Sequence, residues 1–197
     1  MGGSRRQIML DKTKNLVGTA LLTALVIVLQ CLSLVIPPIG PFRISLVLIP
    51  IVVGAAMYGY KAGAWLGAVF GVVVVMTDAG AFLAVNVIGT VITCILKGAL
   101  AGLCAGLVYK LIENKNRLIA VIAAALVTPV VNTGIFLLGC SVFFMDTINE
   151  WAAGAGYASA GAFMIYGLVG VNFLIEIGVN IILNPVIVRI LNIVKKS

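Results

Sequence analysis

The chain has 197 residues, of which 62% are hydrophobic and 10% are charged, and its formal net charge is +7. Soluble domains carry about 25% charged residues, so this composition excludes a soluble protein and indicates an integral membrane protein. The length suits a single membrane domain over residues 1–197, because the longest polar connection is too short to fold alone.

Six segments are apolar enough to be transmembrane helices, for which about 20 helical residues cross a hydrocarbon core of about 30 Å. They follow a basic tail over residues 1–14 and cover about residues 15–36, 44–59, 61–77, 84–110, 118–144 and 163–191. We therefore predict an all-α integral membrane protein that folds as a bundle of six transmembrane helices.

The basic residues predict the orientation of this bundle, because cytoplasmic loops are enriched in lysine and arginine. Most of them flank the apolar segments on one side: Arg5, Arg6, Lys12, Lys14, Lys61, Lys110, Lys115, Arg117, Arg189, Lys195 and Lys196. With an even number of helices, both termini are then cytoplasmic. The opposite, outer side carries Arg43, Asp78, Asp146 and Glu150.

The first predicted helix stops before Pro37-Pro38, where two prolines forbid helix and leave a rigid outer loop. The second and third are short for membrane helices, which indicates tilt or shielding by longer neighbours.

Glycines recur every four residues in the third and fourth segments. They are Gly59, Gly63, Gly67 and Gly71, and then Gly98, Gly102 and Gly106. This spacing allows close helix contact, which we interpret as packing within the bundle.

Polar residues interrupt the fourth and fifth segments. Asn86 lies at the outer end of the fourth, and Lys97 lies about halfway along it. In the fifth, Thr128-Pro129 falls mid-span and frees a backbone carbonyl, with Asn132 one turn later. The connection over residues 145–162 is long for a bundle and contains Trp151, so it is either a lid or binding loop or an interfacial aromatic anchor.

The last predicted helix carries a carboxylate in an otherwise lipid-soluble segment. Asn172, Glu176, Asn180 and Asn184 recur every four residues and form one polar stripe on a helix. An ionisable group at mid-membrane costs about 2.5 kcal/mol or more, so this stripe points into protein or water.

Counting residues from each helix end gives the depth of these polar groups. Lys97, Asn132 and Glu176 lie near the midplane, and Gln30, Asn86 and Asn172 lie in the outer half. The pattern predicts a cavity that opens to the outside, with these candidate substrate-binding residues: Glu176, Asn132, Asn172, Lys97, Asn180, Asn86, Arg43 and Trp151. A structural Lys97–Glu176 ion pair, with asparagines bridging helices, is the alternative.

The chain has no histidine, no metal-ligand cluster, no glycine-rich phosphate loop and no nucleophile beside a base, so we predict neither catalysis nor a metal or other cofactor. We interpret four cysteines within apolar runs as packing residues, namely Cys31, Cys94, Cys104 and Cys140.

Several runs together resemble the substrate-binding S component of energy-coupling factor (ECF) vitamin transporters. They are TALLTALVIVLQ, IPIVVGAAMYGYKAGAWLGAVFG, ILKGALAGLCAGLVYK, TPVVNTGIF and NFLIEIGVN, and the likeness covers nearly the whole chain. The resemblance implies a subunit of the bacterial cell membrane that captures a vitamin or precursor with helices four to six and the outer loops. It further implies toppling against a membrane-embedded T component driven by two ABC-type ATPases. The T component would contact an AxxxA motif, which falls here on Ala20 and Ala24.

Two other functions remain open at this point. One is an autonomous, proton-coupled secondary transporter that uses Glu176 as the proton carrier, and the other is an intramembrane enzyme acting on lipid. The substrate is open as well. Lys97 and Arg43 would suit a carboxylate such as pantothenate, whereas Glu176 and the asparagines would suit a cationic or hydroxyl-rich relative of thiamin or pyridoxine. The chain lacks the acidic outer segment of riboflavin-type members.

Overall fold

The computed structural model describes residues 2–35 and 46–194, without the side chains of residues 2–9, 11, 171, 172, 183, 184, 186 and 190–194. These residues form helices and turns, with no strand in the part described. The helices are α1 (Gly2–Ser33), α2 (Leu48–Tyr58), α3 (Tyr60–Thr77), α4 (Gly80–Leu83), α5 (Val87–Ile112), α6 (Arg117–Phe143), α7 (Met145–Gly154), α8 (Ala160–Ala162), a π-helix (Phe163–Val169) and α9 (Gly170–Val194).

The helix bounds differ from the sequence prediction in three places. The first helix begins at Gly2, so the segment predicted as a basic tail is helical. The connection predicted over residues 145–162 is largely helix, because it contains α7 and α8. The last long segment opens with a π-helix before α9 begins. Arg43 and the predicted start of the second helix lie outside the described residues.

Five helical segments are long and apolar enough to cross a membrane, namely Lys12–Ser33, Tyr60–Thr77, Val87–Ile112, Arg117–Phe143 and Ala160–Ile182. A further apolar helix, α2, is shorter. It has 11 residues and is about 16 Å long at about 1.5 Å per residue. A helix of that length reaches only about half-way through a hydrocarbon core of about 30 Å.

The short α2 lies at the centre of the bundle. It contacts all five of the long helices, which are α1, α3, α5, α6 and α9. Its first eight residues are almost all buried, including Pro50, Ile51 and Val52. Longer neighbours therefore shield α2 from lipid, as one of the two expectations for a short helix requires.

Glycines hold α3 and α5 in close contact. A Cβ atom on Gly67 would collide with the backbone carbonyl of Gly98, and one on Gly63 would collide with that of Gly102. In turn, a Cβ atom on Gly98 would collide with the carbonyl of Gly67, and one on Gly102 with that of Gly63. The two four-residue glycine repeats thus face each other within the bundle, which confirms the packing interpretation.

The bundle is filled differently in its two halves. In the half that contains the basic ends of the helices, Val52 and Val53 of α2 pack against Ala105 of α5, Ala124 of α6 and Ile187 of α9. The start of α2 lies deeper in the bundle, where Leu48 and Ile51 share a core cluster with Phe70 and Cys94, but no residue of α2 lines the cavity in the other half. That half contains the cavity described next.

Candidate functional site

A cavity of about 400 Å³ lies in the half of the bundle that α2 does not fill. Its wall comes from the ends of α1 and α3, α4, the first half of α5, the second half of α6, α7, the π-helix and the start of α9. No residue of α2 lines it. The volume falls within the range of small-molecule sites, which is about 300 to 1000 Å³.

Three buried polar side chains from apolar helices line this cavity. Gln30 is 3% exposed, Asn132 is 7% exposed and Glu176 is 5% exposed. The side-chain carbonyl oxygens of Gln30 and Asn132 accept no hydrogen bond from the part of the chain that the structure describes. A buried acceptor without a donor costs about 1 to 3 kcal/mol, so a hydrogen-bond donor that reached these two atoms would stabilise the protein.

Lys97 is half-buried in the same wall, and its Nζ atom lies 5.2 Å from the ring centroid of Phe136 and 5.9 Å from that of Phe70. These distances are within the range of cation–π attraction, about 6 Å. Asp78 lines the cavity from an exposed position at the end of α3. Lys97 and Glu176, predicted at the same depth, thus share one cavity.

Aromatic rings form much of the remaining wall. Phe82 packs edge-to-face against Phe136 at 5.8 Å and against Trp151 at 5.4 Å between ring centroids. It makes a third such contact with Phe144, at 5.1 Å. Trp151 lies on α7, so these contacts tie α7 to the mouth of the helix bundle. The structure places Trp151 in the cavity wall, as the binding-loop interpretation of residues 145–162 requires.

The π-helix contributes Phe163, Leu168 and Val169 to the wall. A π-helix adds a residue per turn and changes the direction in which the following side chains point, and such segments often occur at functional sites. The sequence did not reveal it, although Gly167 and Gly170 lie at its end and could have signalled irregular helix.

The cavity brings together four of the eight predicted substrate-binding residues: Lys97, Asn132, Trp151 and Glu176. Asn180 is buried one turn after Glu176 but does not line the cavity. Asn172 belongs to α9, but its side chain is outside the described part of the chain. Arg43 is outside it altogether.

Asn86 is the predicted residue with a different place in the structure. It is the N-cap of α5, where its side-chain oxygen accepts a hydrogen bond from the backbone N–H of Gly89 at 2.9 Å. An N-cap asparagine satisfies a backbone donor that the helix leaves free, which explains the residue without a ligand. Asn86 does not line this cavity but a second one, of about 540 Å³, beside Phe143 and Asp146, so its role in substrate binding stays a prediction.

Several residues that line the cavity were not predicted from the sequence. Five of the eight phenylalanines of the chain line the cavity, namely Phe70, Phe82, Phe136, Phe163 and Phe173. Ser33 and Thr133 line it as well. The available signal was that most of these rings fall in the outer halves of their predicted helices.

Ala20 and Ala24, the two positions of the AxxxA motif, lie on an exposed face of α1. Leu16, Leu21 and Val28 are exposed on the same helix. The small side chains leave a shallow strip on an otherwise bulky apolar surface, away from the cavity lining.

The chain belongs to the family described as "ECF transporter, substrate-specific component", which it matches over residues 14–188. The family consists of subunits of membrane transporters, so the chain is a multi-pass membrane protein that acts as a substrate-binding transporter subunit. The family implies a membrane T component, ATPases and a small-molecule substrate. Neither the curated proteins nor the solved structures gave a significant match.

Proposed function

We propose that this protein captures a small water-soluble vitamin or vitamin precursor from outside a bacterial cell and holds it in the cavity formed by α1, α3, α5, α6, α7 and α9. The observation that carries this proposal is a cavity of about 400 Å³ lined by Lys97, Asn132 and Glu176, in a chain of the substrate-specific component family. Polar side chains at this depth in a membrane bundle are costly unless they serve a ligand or each other.

The position of the basic residues supports an outward-facing cavity. Lys61, Lys110, Arg117 and Arg189 lie at or near the ends of α3, α5, α6 and α9 that are remote from the cavity. The positive-inside rule assigns that end to the cytoplasm, and with it both termini. Six helices then form the bundle, with α2 as the short central one.

Delivery of the ligand involves the exposed strip on α1. We propose that Ala20 and Ala24 contact a helix of the T component and that the protein topples against it when two ABC-type ATPases hydrolyse ATP. Small residues one turn apart allow two helix backbones to approach closely, which supports this assignment.

Reconstitution tests this function. The protein is purified, the small molecule that co-purifies is identified by mass spectrometry, and its uptake is measured in liposomes that contain the T component and the ATPases. We expect ATP-dependent uptake by the wild type and none by Ala20→Trp or Ala24→Trp, because added volume separates the docked helices. Ligand affinity of the isolated variants should stay at the wild-type value.

Leu138→Trp is the matched control, because Leu138 is exposed on α6 and lies outside the cavity. It should transport as the wild type does. Uptake by the Ala20→Trp protein at the wild-type rate would contradict the docking assignment. Uptake in liposomes without any partner would instead favour an autonomous transporter.

A further inference from the structure

We infer that a groove between α1 and α2 binds one acyl chain of an anionic phospholipid, whose phosphate lies at the basic end of the bundle, where the lysines and arginines of the helix ends lie. The inference goes beyond the proposed function, because no residue lines both this groove and the substrate cavity. Three observations carry it: the length of the groove, its apolar lining and the cations at its end.

The groove has the length of one acyl chain. Its volume is about 400 Å³, and it follows two antiparallel helices, since Gly18 of α1 lies against Tyr58 of α2 and Leu22 lies near Gly54. Between Gly18 and Leu29, which both line it, α1 rises about 16 Å at about 1.5 Å per residue. One leaflet supplies half of a hydrocarbon core of about 30 Å, so the groove matches the depth of a single leaflet.

The lining of the groove is apolar and open to the bilayer. Apart from the hydroxyl of Tyr58, the described side chains that line it carry no polar group. Leu21 is 69% exposed and Leu25 is 43% exposed on the α1 side. Because Lys12–Ser33 is long and apolar enough to cross a membrane, these exposed leucines face hydrocarbon. The groove is therefore filled either by a lipid chain or by another apolar helix.

The small residues of α1 favour a lipid chain over a partner helix. Helices that associate in membranes approach each other through small side chains. Ala20 and Ala24 lie on another side of α1, about 160° and 120° around the helix from Gly18 at about 100° per residue. The side proposed for the T component is thus separate from the leucine-lined groove, which suits a flexible chain.

Exposed cations lie at the end of the groove that Tyr58 closes. A Cβ atom on Gly18 would collide with the phenol of Tyr58, so this ring fills the space between the two helices there. Tyrosine is enriched at the level of lipid headgroups. Lys14 is exposed one turn before Gly18 on the same side of α1, and Lys61 is exposed in the first turn of α3, three residues after Tyr58.

The charge around this end is strongly positive. By sequence, the starts of α1 and α3 together carry five cations and one carboxylate, namely Arg5, Arg6, Lys12, Lys14 and Lys61, and Asp11. Each cation near the membrane surface attracts an anionic headgroup. A zwitterionic headgroup gains less, because its own ammonium compensates its phosphate. The charge therefore selects an anionic phospholipid.

Native mass spectrometry of the full chain in detergent tests this site. The delipidated protein is titrated with dioleoylphosphatidylglycerol, with dioleoylphosphatidylcholine, which has the same chains and no net charge, and with glycerol 3-phosphate, which has the phosphate without chains. We expect one tight site for phosphatidylglycerol, with an affinity at least about fivefold higher than for phosphatidylcholine. Glycerol 3-phosphate should neither bind nor compete.

Charge variants test the position of the headgroup. Lys14→Gln should weaken the affinity for phosphatidylglycerol about fivefold and leave that for phosphatidylcholine unchanged. Lys115→Gln is the matched control, because Lys115 is exposed at the same end of the bundle but lies in the connection between α5 and α6. It should bind both lipids as the wild type does.

Volume variants test the groove itself. Leu25→Trp should remove the tight site, because the indole fills the groove, and Leu21→Trp should do the same from a more exposed position. Leu138→Trp, on the exposed surface of α6, should keep the site. An unchanged midpoint of thermal unfolding shows that each variant is folded.

Four results would overturn the inference. They are equal affinity for the two phospholipids, equal loss in Lys14→Gln and Lys115→Gln, retention of the tight site in both Leu25→Trp and Leu21→Trp, and competition by glycerol 3-phosphate, which would indicate a site for free phosphate. A dimer that Leu25→Trp abolishes without changing lipid binding would assign the groove to a second copy of the chain and overturn it as well. None of these results bears on the substrate cavity.

Discussion

At the scale of single residues, the cavity is distinguished by a few buried polar side chains in apolar helices. Gln30, Asn132 and Glu176 come from three different helices, yet their side chains are buried at one cavity. None of them is required by the local structure of its helix. Their role is therefore open to direct test by substitutions that preserve the helix.

Glu176→Gln should weaken ligand binding about 10- to 150-fold, because a hydrogen bond to a charged group contributes about 1.5 to 3 kcal/mol. Asn132→Ala should weaken it about 2- to 13-fold, as expected for a neutral hydrogen bond of about 0.5 to 1.5 kcal/mol. Isothermal titration calorimetry with the co-purifying ligand measures both effects. Unchanged affinity in both variants would assign these residues to helix packing alone.

Asn116→Ala provides the matched control for these losses. Asn116 is the N-cap of α6, at the end of the bundle remote from the cavity, and its side-chain oxygen accepts from the backbone N–H of Ile119 at 3.1 Å. Removal of this cap should lower stability by about 0.5 to 2 kcal/mol without changing ligand affinity. A loss of affinity here would show that the assay responds to stability rather than to the site.

The residue scale also shows what could be predicted from the sequence. Helical rise is regular, so counting along the chain placed Lys97, Asn132 and Glu176 at one depth, and the structure brings them to one cavity. The same counting placed Asn86 in the outer half, above these three residues, but depth does not reveal whether a side chain points inward or caps its own helix. The aromatic wall escaped prediction because it depends on helix rotation, which tertiary packing sets.

At the scale of secondary-structure elements, the contact between α3 and α5 fixes the frame around the cavity. The glycine at position 67 faces the backbone of Gly98, directly after Lys97 on α5. The close contact of these two backbones thus fixes the position of Lys97 in the cavity wall. The glycine spacing predicted this contact correctly, because a four-residue repeat of residues without side chains has few other uses in a buried helix.

Gly67→Ala should therefore destabilise the bundle, because its Cβ meets backbone that cannot move aside without separating α3 from α5. We expect a loss of about 1 to 3 kcal/mol, seen as a lower midpoint of thermal unfolding in detergent. Gly134→Ala is the control, since no atom lies within 4 Å of its added Cβ. That variant should be as stable as the wild type or more so, because alanine favours helix. Equal loss in both would contradict the close-contact assignment.

The bounds of the helices were harder to predict from the sequence than the existence of the helices. The π-helix and the helical start of the chain at Gly2 depend on hydrogen-bond patterns that hydropathy does not encode. Leu46 and Val47, predicted as part of the second helix, form a turn before α2, since an apolar run does not reveal where a buried helix begins.

At the scale of the whole molecule, charge is distributed along the bundle axis. Apart from Lys97, the lysines and arginines of the described residues lie at one end, and the cavity opens in the other half. The proposed orientation follows from this asymmetry, and it can be tested without knowledge of the ligand.

Single cysteines at the two ends report the orientation in a background with the four native cysteines replaced by alanine. Asp146 and Lys115 are both exposed and lie at opposite ends. On intact cells, a membrane-impermeant maleimide should label Asp146→Cys, and it should label Lys115→Cys only after permeabilisation. The reverse pattern would place the cavity on the cytoplasmic side. Val130→Cys, on the exposed apolar surface of α6, should stay unlabelled in both states.

The half-length of α2 separates the residues that hold the bundle together from those that surround the cavity. Val52, Ala105 and Ala124 pack in one half, while Gln30, Phe136 and Glu176 face the empty centre of the other. Mutations of these three wall residues can then alter the cavity without touching that core, whereas Phe70, Val74 and Cys94 line the cavity and also pack with Leu48 and Ile51 of α2. Such a scaffold can diversify its cargo during evolution while its partner surface stays constant, and protein engineers could exploit the same independence to accept a chosen compound.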